Sequence, residues 1–568
     1  MFLQPVKPLR RFVMRWLIFG LMVLFVLAAA SACSGEYAVA IRDSLLAKPN
    51  WSVVVDTLVA KYDAQVFTYG SSIWEIETAL TEFQPDYLCI VIRGSEATQS
   101  FVADVWQLSR SLDADIYGDV IWGIVTGFNA EDALRLVSGS RTLRVKTVLG
   151  GTMCCDPTHY PQAIATDEGT YGHYKIKHLD GTVEERWDGP TDRTEWLVSC
   201  INADTIDMFV TSGHARHNEW QLHYPDAGEE GYFRSSLGQV YGDPYSGDDI
   251  DINSVNPKIY FGLGNCLIGQ ILNKGSMPVC WIHTGGAYLY TGYVVTEGPD
   301  SYQHGGTKAF FALQGHYTWP EAFFLANQNI IFDIENSTPG TSPGDRDGSV
   351  LYGDPAFDAR VSEQGVYDPL LYTEDISIVP GPTSDTVTVT ITMNVDGKPG
   401  FTGKWGYRHP TVLLPERMHD IVVQYTDAYE AVVTDNFVLL YVWKQGDPDL
   451  LAGETRKVIF TAKREAIAGL TTEGRRRPPI VLKNPPNPFT PQSRITYELA
   501  EAGHISVRIY DLRGRLVRQF PTTFRREGLH RQTWDLRDAH GAKVQAGIYF
   551  CELAGNGSRA AVKLVILR

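Results

Sequence analysis

The 568-residue sequence predicts an α/β layered unit followed by two small β-sandwiches. Three observations lead there. Short β-branched or aromatic runs alternate with helix-like stretches up to about residue 369, the pattern of a sheet covered by helices. Beyond Pro369 the texture changes to period-two alternation, as in Asp385-Thr-Val-Thr-Val-Thr-Ile-Thr-Met, with short β-branched runs between turn residues up to about 465. The last 85 or so residues alternate again, in Arg494-Ile-Thr-Tyr-Glu-Leu, Ile505-Ser-Val-Arg-Ile-Tyr and Gly547-Ile-Tyr-Phe-Cys-Glu-Leu.

From the N-terminus, Arg10, Arg11 and Arg15 precede the apolar run Trp16–Ala30 and then Ala30-Ser31-Ala32-Cys33. The run is too short for a comfortable membrane span and ends on small residues, so residues 1–33 read as an export signal. Cys33 also resembles a lipobox cysteine, with Ala30 where leucine is usual, which would place a lipid anchor there. Within the α/β unit, Trp51–Val55 and Tyr87–Ile92 read as strands and Ser72–Phe83 as a helix between them. A further run, Leu112–Gly127, is followed by the helical Ala130–Val137, and a second set of strands begins near Val145. That set includes Val279-Cys-Trp-Ile and Gly285–Gly292; helical stretches at Gly306–Gln314 and Trp319–Ile331 follow. The domains expected are 34–145, 146–369, 370–470 and 484–568, with the charged, proline-containing segment 471–483 as a linker.

Charge and cysteine content narrow the function. The net charge is −16, with about +4 over the first 33 residues, about +10 from Arg475 onward and therefore about −30 between. So acidic a centre excludes nucleic acid as the main partner. Apart from Cys33 there are seven cysteines, an odd number for an exported chain, so at least one thiol is free or paired between chains. Cys154 and Cys155 are adjacent, a strained spacing for a disulfide, and no Cys-x-x-Cys pair suggests zinc.

Two apolar runs close on reactive residues: Met208-Phe-Val-Thr-Ser-Gly-His214 and Ile259-Tyr-Phe-Gly-Leu-Gly-Asn-Cys266. As buried strands of a parallel sheet they would present both side chains at carboxyl ends, where ligands and catalytic groups of open α/β sheets gather. A thiol becomes a nucleophile only as thiolate, and a neighbouring imidazole supplies that activation. His217 is the rival base. Trp281 and His283 could line a pocket on the strand after the nucleophile, with core packing the better reading of Trp281; Asp156 is the guess for an acid orienting His214, with a turn-forming Asp-Pro as its simpler role. Asp248, Asp249 and Asp251, like Asp345 and Asp347, form oxygen-rich turns without the spacing of a known calcium loop.

These motifs resemble the gingipain family of cysteine peptidases, which share the caspase-like fold. The family's His at a strand end, with Trp six residues on, is matched by His214 and Trp220; its Gly-Asn-Cys is matched by Gly264-Asn265-Cys266. Asp119…Trp122-Gly123…Gly127 and Leu351-Tyr-Gly-Asp354-Pro-Ala are similar to further family segments, so the resemblance covers about residues 50–360. It implies a two-part caspase-like catalytic unit cleaving peptide or protein substrates. Cys266 would be the nucleophile, His214 the general acid/base, and the N–H groups of Cys266 and Ala215 the oxyanion hole. No cofactor would be needed for the chemistry; a structural Ca2+ would be the one metal, with Asp248, Asp249 and Asp251 as weak candidates. Ala215 replaces the usual glycine, and would cost about 1 kcal/mol if the backbone there took positive φ. The alternatives are an inert caspase-like scaffold serving as a cell-surface structural or binding protein, and a transpeptidase using the same dyad.

The tail, with Asn484-Pro-Pro-Asn-Pro-Phe489, Tyr510-Asp-Leu-Arg-Gly514-Arg515, Trp534-Asp and Gly547-Ile-Tyr-Phe550, is similar to the hook-cap Ig-like domain that serves as the type A sorting domain of type IX secretion. The resemblance implies an Ig-like fold for it, the outer-membrane secretion machinery as a partner, and a destination on the bacterial surface or outside the cell.

Overall fold

The structure, a computed structural model, describes residues 36–139, 142–296, 302–314, 317–400 and 406–464, and most of 480–566. The export signal with Cys33 and the linker residues 471–479 lie outside the described residues. Two compact units are present, divided between Glu465 and Ala466. The expected segments 34–145, 146–369 and most of 370–470 are thus parts of one unit.

Its backbone is one twelve-stranded sheet. In chain order the strands are β1 (Tyr37–Arg42), β2 (Gln65–Tyr69), β3 (Tyr87–Val91), β4 (Ile121–Val125), β5 (Thr147–Gly150), β6 (Gln162–Thr166), β7 (Tyr174–Lys177), β8 (Val183–Arg186), β9 (Met208–Thr211), β10 (Lys258–Gly262), β11 (Ala287–Tyr293) and β12 (Ser349–Tyr352). Across the sheet they run β2-β1-β3-β4-β12-β11-β10-β9-β5-β6-β7-β8. The returning strand β12 joins the halves, parallel to β4 and antiparallel to β11. The Leu-Tyr-Gly-Asp-Pro-Ala segment supplies this joint. Asp354, just beyond β12, accepts hydrogen bonds from the Tyr37 and Tyr62 hydroxyls (2.8 and 2.6 Å) and pairs with Lys61 at 3.1 Å. Removing one partner of so buried an ion pair would leave an uncompensated charge, so the motif holds the halves in register.

Six of the helices are α1 (Pro49–Tyr62), α2 (Gln99–Leu108), α3 (Ala130–Ser138), α4 (Thr194–Asn202), α5 (Met277–His283) and α6 (Trp319–Glu335). Two runs expected as strands are helical. Trp51–Val55 lies in α1, which starts on Pro49 and ends at the left-handed Asp63. There Trp51, Val54, Val55 and Leu58 form a buried stripe at helical spacing, and its burial outweighs the modest helix propensity of valine. Val279–Ile282 lies in α5, which is apolar all round because every residue from Met277 to Ile282 is buried.

After Pro369 two antiparallel sheets enclose an apolar core. Tyr372–Val379, Asp385–Met393, Thr455–Arg464 and Met418–Thr426 form one; Thr411–Leu413, Phe437–Tyr441 and Glu430–Val433 form the other. The C-terminal unit has the same two-sheet plan around Phe489, Ile495, Ile509, Trp534 and Leu564. Both are the expected β-sandwiches.

Candidate functional site

The site is built where β9 and β10 end. They are adjacent and parallel, wholly buried, with Thr211 opposite Gly262 and Leu263 N–H donating to Thr211 O at 2.8 Å. His214 follows Thr211 by three residues and Cys266 follows Gly262 by four, so both leave the sheet at one edge. Gly213 (φ +86°) and Gly264 (φ +83°) make the bends. The side chain of Asn265, fully buried, bridges the two ends: Oδ1 accepts from Thr211 Oγ1 at 2.7 Å and Nδ2 donates to Gly213 O at 3.0 Å. The residue before the histidine is therefore bonded directly to the residue before the cysteine. Beyond Cys266, Leu267 takes φ +58° and its N–H donates to Val295 O, anchoring the turn to the segment just past β11.

Beyond His214 the chain doubles back as a tight ribbon, with Ala215 opposite Trp220. Trp220 is fully buried, and its Nε1 donates to Ser212 O at 2.6 Å. Its ring fills the space a side chain on Gly151 would need, since a Cβ there would come within 2.3 Å. The six-residue spacing from His to Trp is thus a hairpin that ties its own root. Ala215 lies in this extended ribbon and not in the left-handed region, so the cost expected for alanine there does not arise.

The imidazole of His214 packs on the Tyr224 ring at 5.1 Å. Tyr224 N–H donates to Glu168 O, and the Glu168 carboxylate accepts from Thr152 Oγ1 (2.5 Å), Met153 N (2.8 Å) and Ser212 Oγ (3.4 Å). Behind this loop the buried Arg193 pairs with Glu230 and donates to Gly151 O and Leu222 O. Sequence reading missed Glu168, Tyr224 and Arg193. Their roles come from contacts across 10 to 56 residues of chain, and no local spacing marks them.

Several expected residues lie elsewhere. Asp156 is not on His214: its carboxylate accepts from Thr158 N and Oγ1 and lies 3.6 Å from His159. Burial works against that charge, but His159 and these hydrogen bonds outweigh it and hold Asp156 below the usual carboxylate range. Among the described residues no carboxylate is hydrogen-bonded to the His214 ring. Trp281 is core rather than pocket, with its ring 4.9 Å from Tyr260 and 5.5 Å from Phe209. His283 is held by Asp132 at 2.9 Å and stacks on Phe128. His217 sits in the turn of the ribbon, where burial lowers its pKa.

No disulfide joins the described cysteines, Cys266 and Cys280 included. Burial pushes Cys89, Cys154, Cys155, Cys200, Cys280 and Cys551 upward, Cys155 and Cys551 to about 12 and Cys280 to about 11, which makes them poor nucleophiles. Cys266 is partly exposed at the strand ends.

The calcium expectation does not fit. Asp248, Asp249 and Asp251 are exposed and do not converge; among the described residues, Asp113, Asp119 and Asp435 form the group of carboxylates within 4.8 Å of one another. Asp345 is buried and occupied by Tyr293 OH and the N–H groups of Tyr302 and Gln303, while Asp347 pairs with Arg110.

Residues 486–567 match the secretion system C-terminal sorting domain family. The tail is a sorting domain. A tail of this kind links the chain to type IX secretion and implies export to the cell surface or the extracellular space. No curated protein sequence matches the chain. Among solved structures, dimeric latent PorU from Porphyromonas gingivalis is 9% identical over 94% of this chain and 64% of that one, at a TM-score of 0.23. PorZ, an essential bacterial surface component of the type IX secretion system of that organism, is 14% identical over 41% of this chain and 27% of that one, at 0.12. A polysaccharide lyase is 10% identical over 39% and 38%, at 0.13. This chain spans less than two thirds of the PorU chain, and at such TM-scores none of the three establishes fold or activity.

Proposed function

We propose that the chain is an exported cysteine endopeptidase of gingipain type, with a caspase-like head. The observation that carries the reading is the bridge from Asn265 Nδ2 to Gly213 O, which ties the segment bearing His214 to the segment bearing Cys266. Cys266 acts as thiolate on a peptide carbonyl; the S–C bond forms as the carbonyl oxygen takes the charge, which the N–H groups of Cys266 and Ala215 receive. His214 gives its proton to the leaving amine, and water attacking the thioester then regenerates the thiol. The substrate is a peptide or protein, and the chemistry needs no metal.

One observation favours the inert-scaffold reading: the imidazole rests on Tyr224, with no carboxylate to orient it among the described residues. A thiol-directed peptidyl probe separates the two. Under the peptidase reading it labels wild type, fails on Cys266→Ala and loses most labelling on His214→Ala. Equal labelling of all three proteins would sink the dyad.

A further inference from the structure

A general acid/base works only while its ring points at the reacting atoms, so something must fix the side-chain angles of His214. Its backbone is fixed already, because Gln221 N–H donates to His214 O at 3.0 Å across the ribbon. The side chain is exposed, and the contact its ring makes is with Tyr224. The two ring centroids are 5.1 Å apart and the planes are inclined by 37°. That spacing lies within the range of attractive aromatic pairs and of a cation over a ring face.

Tyr224 is 47% exposed, yet its loop is held from both sides. Its N–H donates to Glu168 O at 2.8 Å, and Gln221 Nε2 donates to the carbonyls of His223 and Pro225 at 2.6 and 3.4 Å. The His223 ring stacks on Tyr171 at 4.4 Å, and its Nδ1 is 3.2 Å from the Glu230 carboxylate. Gly213, the residue before the histidine, lets the phenol ring lie along the bend: a Cβ there would come within 3.4 Å of that ring. The chemistry suits an aromatic face. In the dyad His214 is positively charged from the moment the thiol loses its proton until the leaving amine takes one, and a ring face favours a cation without competing for the proton.

We propose that Tyr224 is the positioning residue of the dyad: its ring face, in place of a carboxylate, holds the His214 imidazole in its working orientation and steadies the imidazolium. The proposal rests on the peptidase reading above. The test measures the second-order rate at which the thiol-directed peptidyl probe labels the full chain, with Cys266→Ala as the blank and a thermal unfolding curve for every variant. Tyr224→Ala and Tyr224→Leu should be labelled about tenfold or more slowly than wild type. Tyr224→Phe should stay within about twofold of wild type, because the face acts and not the hydroxyl. In the His214→Ala background Tyr224→Ala should change the residual labelling by less than about twofold, since the ring it positions is gone. Wild type labelled no faster than Cys266→Ala sinks the peptidase reading, and this proposal with it. With wild type labelled, four results would each overturn the proposal and leave the dyad standing: Tyr224→Ala as fast as wild type, Tyr224→Leu as fast as Tyr224→Phe, Tyr224→Phe as slow as Tyr224→Ala, or an equal loss in the His214→Ala background. If Tyr224→Ala does not fold, the Phe and Leu variants, which keep bulk at the site, decide alone.

Discussion

The first sandwich gives residues away, while the C-terminal one keeps its own. Phe437 and Leu439, on the strand Phe437–Tyr441, belong to the core of the α/β head. Arg417 reaches out of the same sandwich to donate to the backbone carbonyls of Pro85 and Asp119, and Asn436 Nδ2 donates to Gly118 O at 3.1 Å. From the head, Tyr317 OH donates to Glu374 at 2.6 Å and Asn329 Nδ2 to Thr411 Oγ1 at 2.8 Å. In the second sandwich the core is made of residues between Phe489 and Ile566. The same architecture therefore serves as a structural part of the head in one case and as a separate sorting module in the other. What distinguishes them is where the apolar surface and buried donors are satisfied.

Truncation should break or confirm this most directly. A chain ending at Glu465 should keep the thermal transition of the head within a few degrees of that in the full protein. One ending at Pro369 should lose more than about 10 °C or fail to fold, because it uncovers part of the head's core. Next in size is Arg417→Ala, which leaves Asp435 buried without its partner and two carbonyls without a donor. It should cost the head about 3–5 kcal/mol in denaturant unfolding and leave the sorting module's transition unmoved.

Within the head, Asn265→Ala should cost about 1–3 kcal/mol and slow probe labelling of Cys266 by about tenfold or more, since the bridge between strand ends is lost. A smaller effect concerns pH at the junction. Burial, then the nearby carboxylates of Asp113, Asp435 and Asp115, pushes Asp119 up to about 8. Between about pH 4 and 8 the folded chain then holds a proton that the unfolded chain has released. This group's contribution to stability is fully present below the unfolded pKa and declines as pH rises to 8. Asp119→Asn should flatten that slope in unfolding curves recorded from pH 5 to 8. Smallest is Ala215→Gly: with Ala215 extended, the change should cost about 0.5–1 kcal/mol and leave labelling unimproved. Faster labelling would show that the alanine does hold the site back.

Much of the site was legible in the sequence because its signals are local. The runs before His214 and Cys266 are continuous and β-branched or aromatic, as strands buried on both faces must be. The interval from His214 to Trp220 is the length of a tight ribbon, and Gly213 and Gly264 mark bends that need positive φ. Trp51–Val55 misled because a five-residue β-branched run reads as a strand until the burial of Leu58, one further helical turn along, is known. Asp156 takes the simpler of its two expected roles, because its nearest partners, Thr158 and His159, are its own turn. Trp281 proved to be core once the segment was seen as a helix packed on Phe209 and Tyr260.

From the sequence alone came the layered head, the two sandwiches, the pair of strand ends and the sorting tail. Each rests on periodicity, turn chemistry or motif spacing, which act over a few residues. Only the tertiary structure decided that β12 closes one sheet across both halves, that Asn265 ties His214's strand end to that of Cys266, and that the first sandwich shares the head's core. Those outcomes depend on hydrogen bonds and apolar contacts between segments tens to hundreds of residues apart, and no pattern along the chain records which distant surface a buried group will meet.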